Sequence, residues 1–182
     1  YENYKLSNLL YKIEKIKGLD RIRYTTSHPK DMTEDLIDVY KNSKKLMPLI
    51  HLPVQSGSNK ILKSMNRKHS ISDYLKVYNK LREINSKIKF SSDFIIAYPG
   101  EDENDFKATV DLIREVRFIN SYSFIFSPRP GTIASKLKTI DKEISLKRLK
   151  IVQEHLFNNQ IKANKLLEGS IINVLVENKN RK

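Results

Sequence analysis

Cysteine is absent from this 182-residue chain, which excludes a disulfide framework and any thiolate metal site built from these residues. The four histidines, His28, His51, His69 and His155, are scattered without ligand spacing, so no metal centre is expected from this stretch alone. No run approaches the roughly 18 apolar residues that a membrane span requires, and nothing resembles a signal peptide. A soluble, cytoplasmic protein with no membrane partner is the expectation. A Walker loop, a dinucleotide fingerprint, a Ser/His/Asp set, internal repeats and low-complexity tracts are all missing. Acidic residues are in short supply: 21 stand against 34 basic ones, for a net charge of +13. Such an excess suits a polyanionic partner, because each neutralised phosphate releases condensed counterions. A general enrichment in Lys and Asn accounts for it equally well on charge alone.

The length suffices for one domain with a real core and the edge of a second. Because the chain opens at Tyr1 inside a helix-like pattern, it is expected to be a piece excised from a longer one. Along it, strands and helices alternate. A helical stripe through Leu6, Leu9, Leu10, Ile13 and Ile16 stops at Gly18. A short strand candidate, Arg21 to Thr26, halts at His28-Pro29. Thr33 is placed to cap a helix carrying Leu36, Ile37 and Tyr40. Leu49 to Val54 is the second strand candidate, with Pro53 expected at its end. Ser56-Gly57-Ser58 then turns into a short helix with Ile61, Leu62 and Met65, followed by a longer one capped by Ser70 or Ser72. The third strand candidate, Ile88 to Ala97, stops at Pro99-Gly100, and Asp102 to Phe118 reads as an amphipathic helix with acids in its first turn. Tyr122 to Ser127 is the fourth strand candidate.

Four alternations at this spacing belong to parallel β/α units, and in such folds ligands gather at the carboxyl ends of the strands. The polar segments fall there: Thr26 to Pro29, Gln55 to Ser58, Tyr98 to Glu101 and Ser127 to Thr132. After Thr132 the character changes. Glu143 to Glu168 reads as a long basic helix with Leu149, Val152, Leu156, Ala163 and Leu167 on one side, and Ile171 to Val176 as a new strand. Three regions are expected: a β/α domain over 1–140, a basic connecting helix over 141–168, and the start of a further module over 169–182.

Individually the candidate site residues are weak signals. Gln55-Ser56-Gly57-Ser58 presents an amide, hydroxyls and backbone N–H groups to a small polar ligand, with Gly57 allowing close backbone approach; such loops also simply cap helices. Asp93, inside the third strand, needs a partner or solvent to offset its desolvation, and an edge acid facing water is the plainer alternative. Arg129, held between two prolines, is placed to pair with a carboxylate or phosphate, or to sit in a solvated turn. His28 and His51 are acid–base candidates with a structural role as the alternative.

Together the segments are far more specific. Arg21-Ile22-Arg23-Tyr24-Thr25-Thr26-Ser27-His28-Pro29, His51-Leu52-Pro53-Val54-Gln55-Ser56-Gly57-Ser58, Ser91-Ser92-Asp93-Phe94-Ile95-Ile96 and Tyr122 to Thr132, in this order, resemble the methylthiotransferase family of radical S-adenosylmethionine (SAM) enzymes. Their wording is most similar to the branch that modifies isopentenyladenosine in tRNA. Ala97 and Tyr98 depart from the family's usual Gly-Phe, and Ile133 from a common proline.

The resemblance implies an α/β fold: about the last four β/α units of a partial (β/α) barrel of radical SAM type, then the basic helix and the first strand of a β-barrel TRAM module. It implies conversion of N6-isopentenyladenosine next to the anticodon to its 2-methylthio derivative. The implied cofactors are SAM and two 4Fe–4S clusters in the full-length enzyme, whose ligands this stretch lacks, so the isolated piece is expected to be inactive. Ser27, Gln55, Ser56, Asp93, Arg129 and Thr132 are the expected SAM contacts. Lys147, Arg148, Lys150, Lys162 and Lys165 are the expected contacts to the tRNA anticodon stem-loop. The full-length enzyme is expected to be a monomer; its electron donor is not indicated. The rivals are a sister methylthiotransferase acting on threonylcarbamoyladenosine in tRNA or on a ribosomal-protein aspartate, and a non-catalytic basic RNA-binding domain.

Overall fold

The computed structural model describes residues 4–25 and 28–176. Ser27 and Thr26 therefore lie outside the described residues. Four parallel runs lie side by side in chain order. The first touches the second through a single bridge, Ile22 to Leu46. The second contains β1 (Leu49–His51), which pairs with β2 (Lys89–Ser91) in the register Leu49–Lys89, Ile50–Phe90, His51–Ser91. After Ser92 the third run continues as β3 (Asp93–Ile96). It pairs with β4 (Tyr122–Ile125) in the register Asp93–Tyr122, Phe94–Ser123, Ile95–Phe124, Ile96–Ile125. The expected alternation is present, and the strands are shorter than the sequence suggests.

Proline accounts for part of that shortening. Pro53 has no N–H to give the ladder, and pairing resumes only at Gln55, whose N–H donates to the Asp93 carbonyl at 3.0 Å and whose carbonyl accepts from Ile95 at 2.9 Å. The price of this restart is local strain, since Gln55 sits at φ 75°, a region that non-glycine residues seldom occupy. Ala97, standing where the resembling family has Gly, is also left-handed at φ 58°. The conformation explains the glycine preference.

The helices are α1 (Leu6–Glu14), α2 (Glu34–Asn42), α3 (Asn59–Ser64), α4 (Ile71–Ile84), α5 (Glu103–Val116) and α6 (Lys142–Lys165). Their starts are chemically specified. Ser70 and Asp73 satisfy each other's backbone N–H groups at the head of α4. Asp102 and Asp105 do the same for α5, a reciprocal cap that satisfies two otherwise orphaned donors. Thr33 precedes α2 as expected, though its side chain makes no cap bond.

One face of the sheet carries the helices. Phe90, Phe94, Ile96, Leu52 and Val54 are buried there with Tyr74, Leu81, Ile113 and Phe118. Phe94 meets Phe118 edge-on, with ring centroids 5.3 Å apart. Because side chains alternate across a strand, the partners His51, Ser91, Asp93, Ile95, Tyr122 and Phe124 stand on the opposite face. α6 packs on β4 and α5, burying Ser145, Arg148, Val152 and Leu156.

Two expectations about the C-terminal stretch need correction. Leu167 is exposed and Ala163 only half-buried, so the apolar stripe of α6 ends at Leu156. Residues 171–176 form no strand, and all of their apolar side chains are exposed. A strand exists only with a ladder partner, and this segment finds none among the described residues. No helix among them is long and apolar enough to cross a membrane.

Candidate functional site

The helix-free face of the sheet gathers polar groups at one place. His51 places Nδ1 2.9 Å from the Ser91 hydroxyl and Nε2 3.4 Å from an Asp93 carboxylate oxygen. Asp93 keeps about a third of its side chain open to solvent. Gln55 lies beside it, bonded backbone to backbone. Gln55 is only 7% exposed, yet its amide makes no side-chain hydrogen bond among the described residues. The left-handed backbone of Gln55 carries a strain cost, while its amide, which is not among the buried unpartnered groups, keeps contact with solvent.

The rim next to this pair is cationic and imidazole-rich. Asn66, left-handed at φ 57°, ends α3 and turns the chain so that the Arg67 N–H donates to the Leu62 carbonyl at 2.8 Å. Arg67 is half-buried, and its pKa is lowered by burial against the opposing attraction of Asp93. Beyond it, His28 and His69 meet edge-on with centroids 5.0 Å apart. Burial pulls the pKa of His69 down to about 4, with the charges of His28 and Arg67 adding to the effect. Burial also lowers His28, again with help from Arg67. Both rings are therefore neutral at pH 7, and Arg67 is the fixed positive charge near Asp93.

Of the expected SAM contacts, Gln55 and Asp93 are thus brought together, and Ser27 lies outside the described residues. Ser56 corrects the expectation. It is fully buried on the helix side, 3.4 Å from the Thr109 hydroxyl, and its oxygen accepts from the Ser58 N–H. Ser58 donates to Asp105 at 2.6 Å and caps α3. Gly57 packs against α5 rather than facing a ligand: a Cβ there would lie 2.4 Å from the Ala108 carbonyl oxygen. The polar loop is a strand–helix junction, and its first residue, Gln55, is bonded backbone to backbone to the strand that carries Asp93. Arg129 and Thr132 sit exposed on the loop after β4. The Thr132 hydroxyl donates to the Arg129 carbonyl at 2.8 Å and accepts from the Ser135 N–H, a local turn without contact to Gln55 or Asp93.

On α6, Lys147, Lys150, Lys162 and Lys165 are exposed. Spacings of three, twelve and three residues keep them within one side of the helix. Arg148 corrects the expectation of an RNA contact. Its guanidinium is buried, donating to a Glu101 carboxylate oxygen at 2.9 Å, to the Glu101 carbonyl at 3.1 Å and to Glu103 at 3.1 Å. Ser91, a polar neighbour of Asp93 in the sequence, is joined here by residues that the sequence does not single out as site residues: Arg67, Tyr122 and Phe124, together with the pairing of His51 to Asp93. The period-two pattern through 89, 91, 93 and 95 is what puts Ser91 on the same face as Asp93.

Residues 2–113 match the model of the radical SAM superfamily. Over 178 residues the chain is 69% identical to the tRNA-2-methylthio-N(6)-dimethylallyladenosine synthase of Pelagibacter ubique, covering 98% of this chain and 40% of that protein. It is 51% identical to the synthase of the same name from Zymomonas mobilis, covering 97% and 40%. Coproporphyrinogen III oxidase from Escherichia coli, a radical SAM enzyme of known structure, matches 74% of this chain and 31% of its own with a TM-score of 0.60 and 18% identity, a likeness of fold. The chain spans about 40% of the length of the curated relatives it matches.

Proposed function

The chain belongs to the radical SAM superfamily, and from that premise we propose that it is part of an enzyme that converts N6-isopentenyladenosine beside the tRNA anticodon into its 2-methylthio derivative. The observation that carries the site reading is Gln55, held in a left-handed conformation and bonded through its backbone to Asp93, whose half-open carboxylate is paired with His51. SAM fits this pair chemically. Its ribose hydroxyls and ammonium group are donors for Asp93, its adenine offers edges to an amide, and its sulfonium charge favours a nearby carboxylate. Ser27, Arg129 and Thr132 are secondary candidates around the same ligand. Bound SAM supplies the one-electron chemistry that removes the hydrogen from the adenine carbon. These residues hold and orient it, with His51 fixing the Asp93 carboxylate from one side and Ser91 fixing His51 from the other.

Thiolate-bound clusters do not fit this chain, which has no cysteine; their ligands belong to another part of the enzyme. Residues 1–140 would form the later β/α units of the radical SAM domain, and 141–168 the connecting helix. Residues 169–182 would lead into an RNA-binding TRAM module, whose first strand needs the rest of its barrel to form. Exposed apolar side chains from Ile171 to Val176 are consistent with a surface awaiting that partner. Lys147, Lys150, Lys162 and Lys165 would meet the phosphates of the anticodon stem-loop.

Nucleoside mass spectrometry of tRNA from a strain lacking the gene tests the reaction. The 2-methylthio-isopentenyl nucleoside should disappear and its unthiolated precursor accumulate. Loss of a threonylcarbamoyl derivative instead, or an unchanged nucleoside profile, would refute the assignment.

A further inference from the structure

Two large aromatic rings stand exposed on the helix-free face. Tyr122 and Phe124 occupy alternate positions of β4 and pair in register with Asp93 and Ile95, so they stand in the same row as the proposed SAM pair. They are 63% and 57% exposed, an unusual fate for two large rings on a sheet packed with aromatics on its other side. Their planes lie within 14° of parallel, with centroids 6.4 Å apart. Stacked bases rise about 3.4 Å per layer, so a planar heterocycle between two rings occupies about 6.8 Å. The centroid separation, the upper limit of the gap between the planes, is near that value, and it arises without strain, because residues two apart on a strand are separated by about this distance.

Resting on the tRNA reading above, we propose that Tyr122 and Phe124 form a stacking slot for the target adenine, which enters between the rings after leaving the loop. Parallel planes suit a flat ring system and give an aliphatic or peptide ligand no advantage. The slot lies across the ladder from Asp93, which places the base beside the proposed SAM position. Across from Phe124, Ile95 offers apolar surface to an alkyl group on the adenine amine. The chain's positive charge and the exposed lysines of α6 suit the polyanion to which such a base belongs. In this reading the rings determine specificity: they select an extruded purine, while Asp93 and Gln55 hold SAM.

A binding cycle with the full-length, cluster-loaded enzyme tests the slot. Two anticodon stem-loop RNAs are compared, one intact with isopentenyladenosine and one abasic at that position. The wild type should prefer the intact RNA by about 5- to 150-fold, the range that stacking of one base supplies. The double variant Tyr122→Leu, Phe124→Leu, which keeps apolar volume at exposed positions, should bind both RNAs equally, at the abasic level. Tyr122→Phe and Phe124→Tyr should each retain the preference. A preference that survives in the double leucine variant overturns the slot and leaves the tRNA reading standing. Equal weakening toward both RNAs, with a lowered melting temperature, also overturns it, because the rings would then be an interface for another segment of the protein. Failure of the wild type to bind either stem-loop removes the tRNA reading and the slot with it.

Discussion

Replacing Arg148 with alanine should destabilise the protein by about 3–5 kcal/mol, the usual consequence of stripping one partner from a buried ion pair. The two side chains are 9% and 1% exposed. Glu101 Oε1 accepts both from Arg148 and from the Ala97 N–H at 3.1 Å, and the guanidinium also lies over the Phe106 ring at 5.2 Å. The pair therefore ties α6 to the turn between β3 and α5. Burial pushes the Glu101 pKa up from its ordinary 4.5, while Arg148 pulls it down. Without Arg148 the carboxyl rises further. A raised folded-state pKa means stability that is present at low pH and lost as pH climbs through that value. The deficit of the variant should therefore be largest near neutrality and shrink toward pH 4.5, and adding Glu101→Gln should recover part of it. Denaturation midpoints across this range are the measurement. Reversing exposed Lys147 or Lys150 should change stability by no more than about 0.5 kcal/mol. Equal, small effects at 148 and 147 would contradict the assignment of Arg148 to the interior.

Gly57→Ala should be nearly as damaging, by about 3 kcal/mol. The added Cβ would lie 2.4 Å from the Ala108 oxygen, 2.5 Å from the Thr109 Cα and 2.6 Å from the Ala108 carbonyl carbon. All three are backbone atoms, so no rotamer change relieves the clash and α5 itself must retreat. Overpacking ordinarily costs about 1–3 kcal/mol, and backbone opposition puts this site at the upper end. The retreat would also lengthen the bond from the Gly57 N–H to the Thr109 hydroxyl, now 2.9 Å, and disturb Gln55 two residues upstream. A variant with unchanged melting temperature would show that the junction is looser than its distances.

Much of the architecture was legible because local chemistry and global fold agree. Asp102 and Asp105 announce the head of α5, and Pro99-Gly100 ends the strand before it. The site was harder to read, since the same residues serve two purposes. Gln55-Ser56-Gly57-Ser58 has the composition of a ligand cradle, yet a loop that satisfies a helix start and fits against a neighbouring helix has that composition too. Only contacts separate Gln55, bonded through its backbone to Asp93 and Ile95, from Ser56, which lies against Thr109. Arg148 is instructive in another way. Positions 145, 148, 152 and 156 recur at spacings of three and four, so the buried stripe of α6 was visible and contained an arginine. A charge in that register implies a buried acid, whose identity is a tertiary fact. The segment from Ile171 to Val176 shows the limit of strand propensity: apolar β-branched residues do not make a strand without a neighbouring edge.

The central claim, that Gln55 and Asp93 hold SAM while the rest of their loop is packing, is tested most directly by equilibrium SAM binding to the full-length, cluster-loaded enzyme and its variants. Gln55→Ala and Asp93→Ala should each weaken binding by about tenfold or more, the loss of one buried or charge-assisted hydrogen bond, whereas Ser56→Ala should lower the melting temperature and leave SAM affinity intact. Unchanged affinity in the first two variants, or a selective loss of affinity in Ser56→Ala, would contradict it.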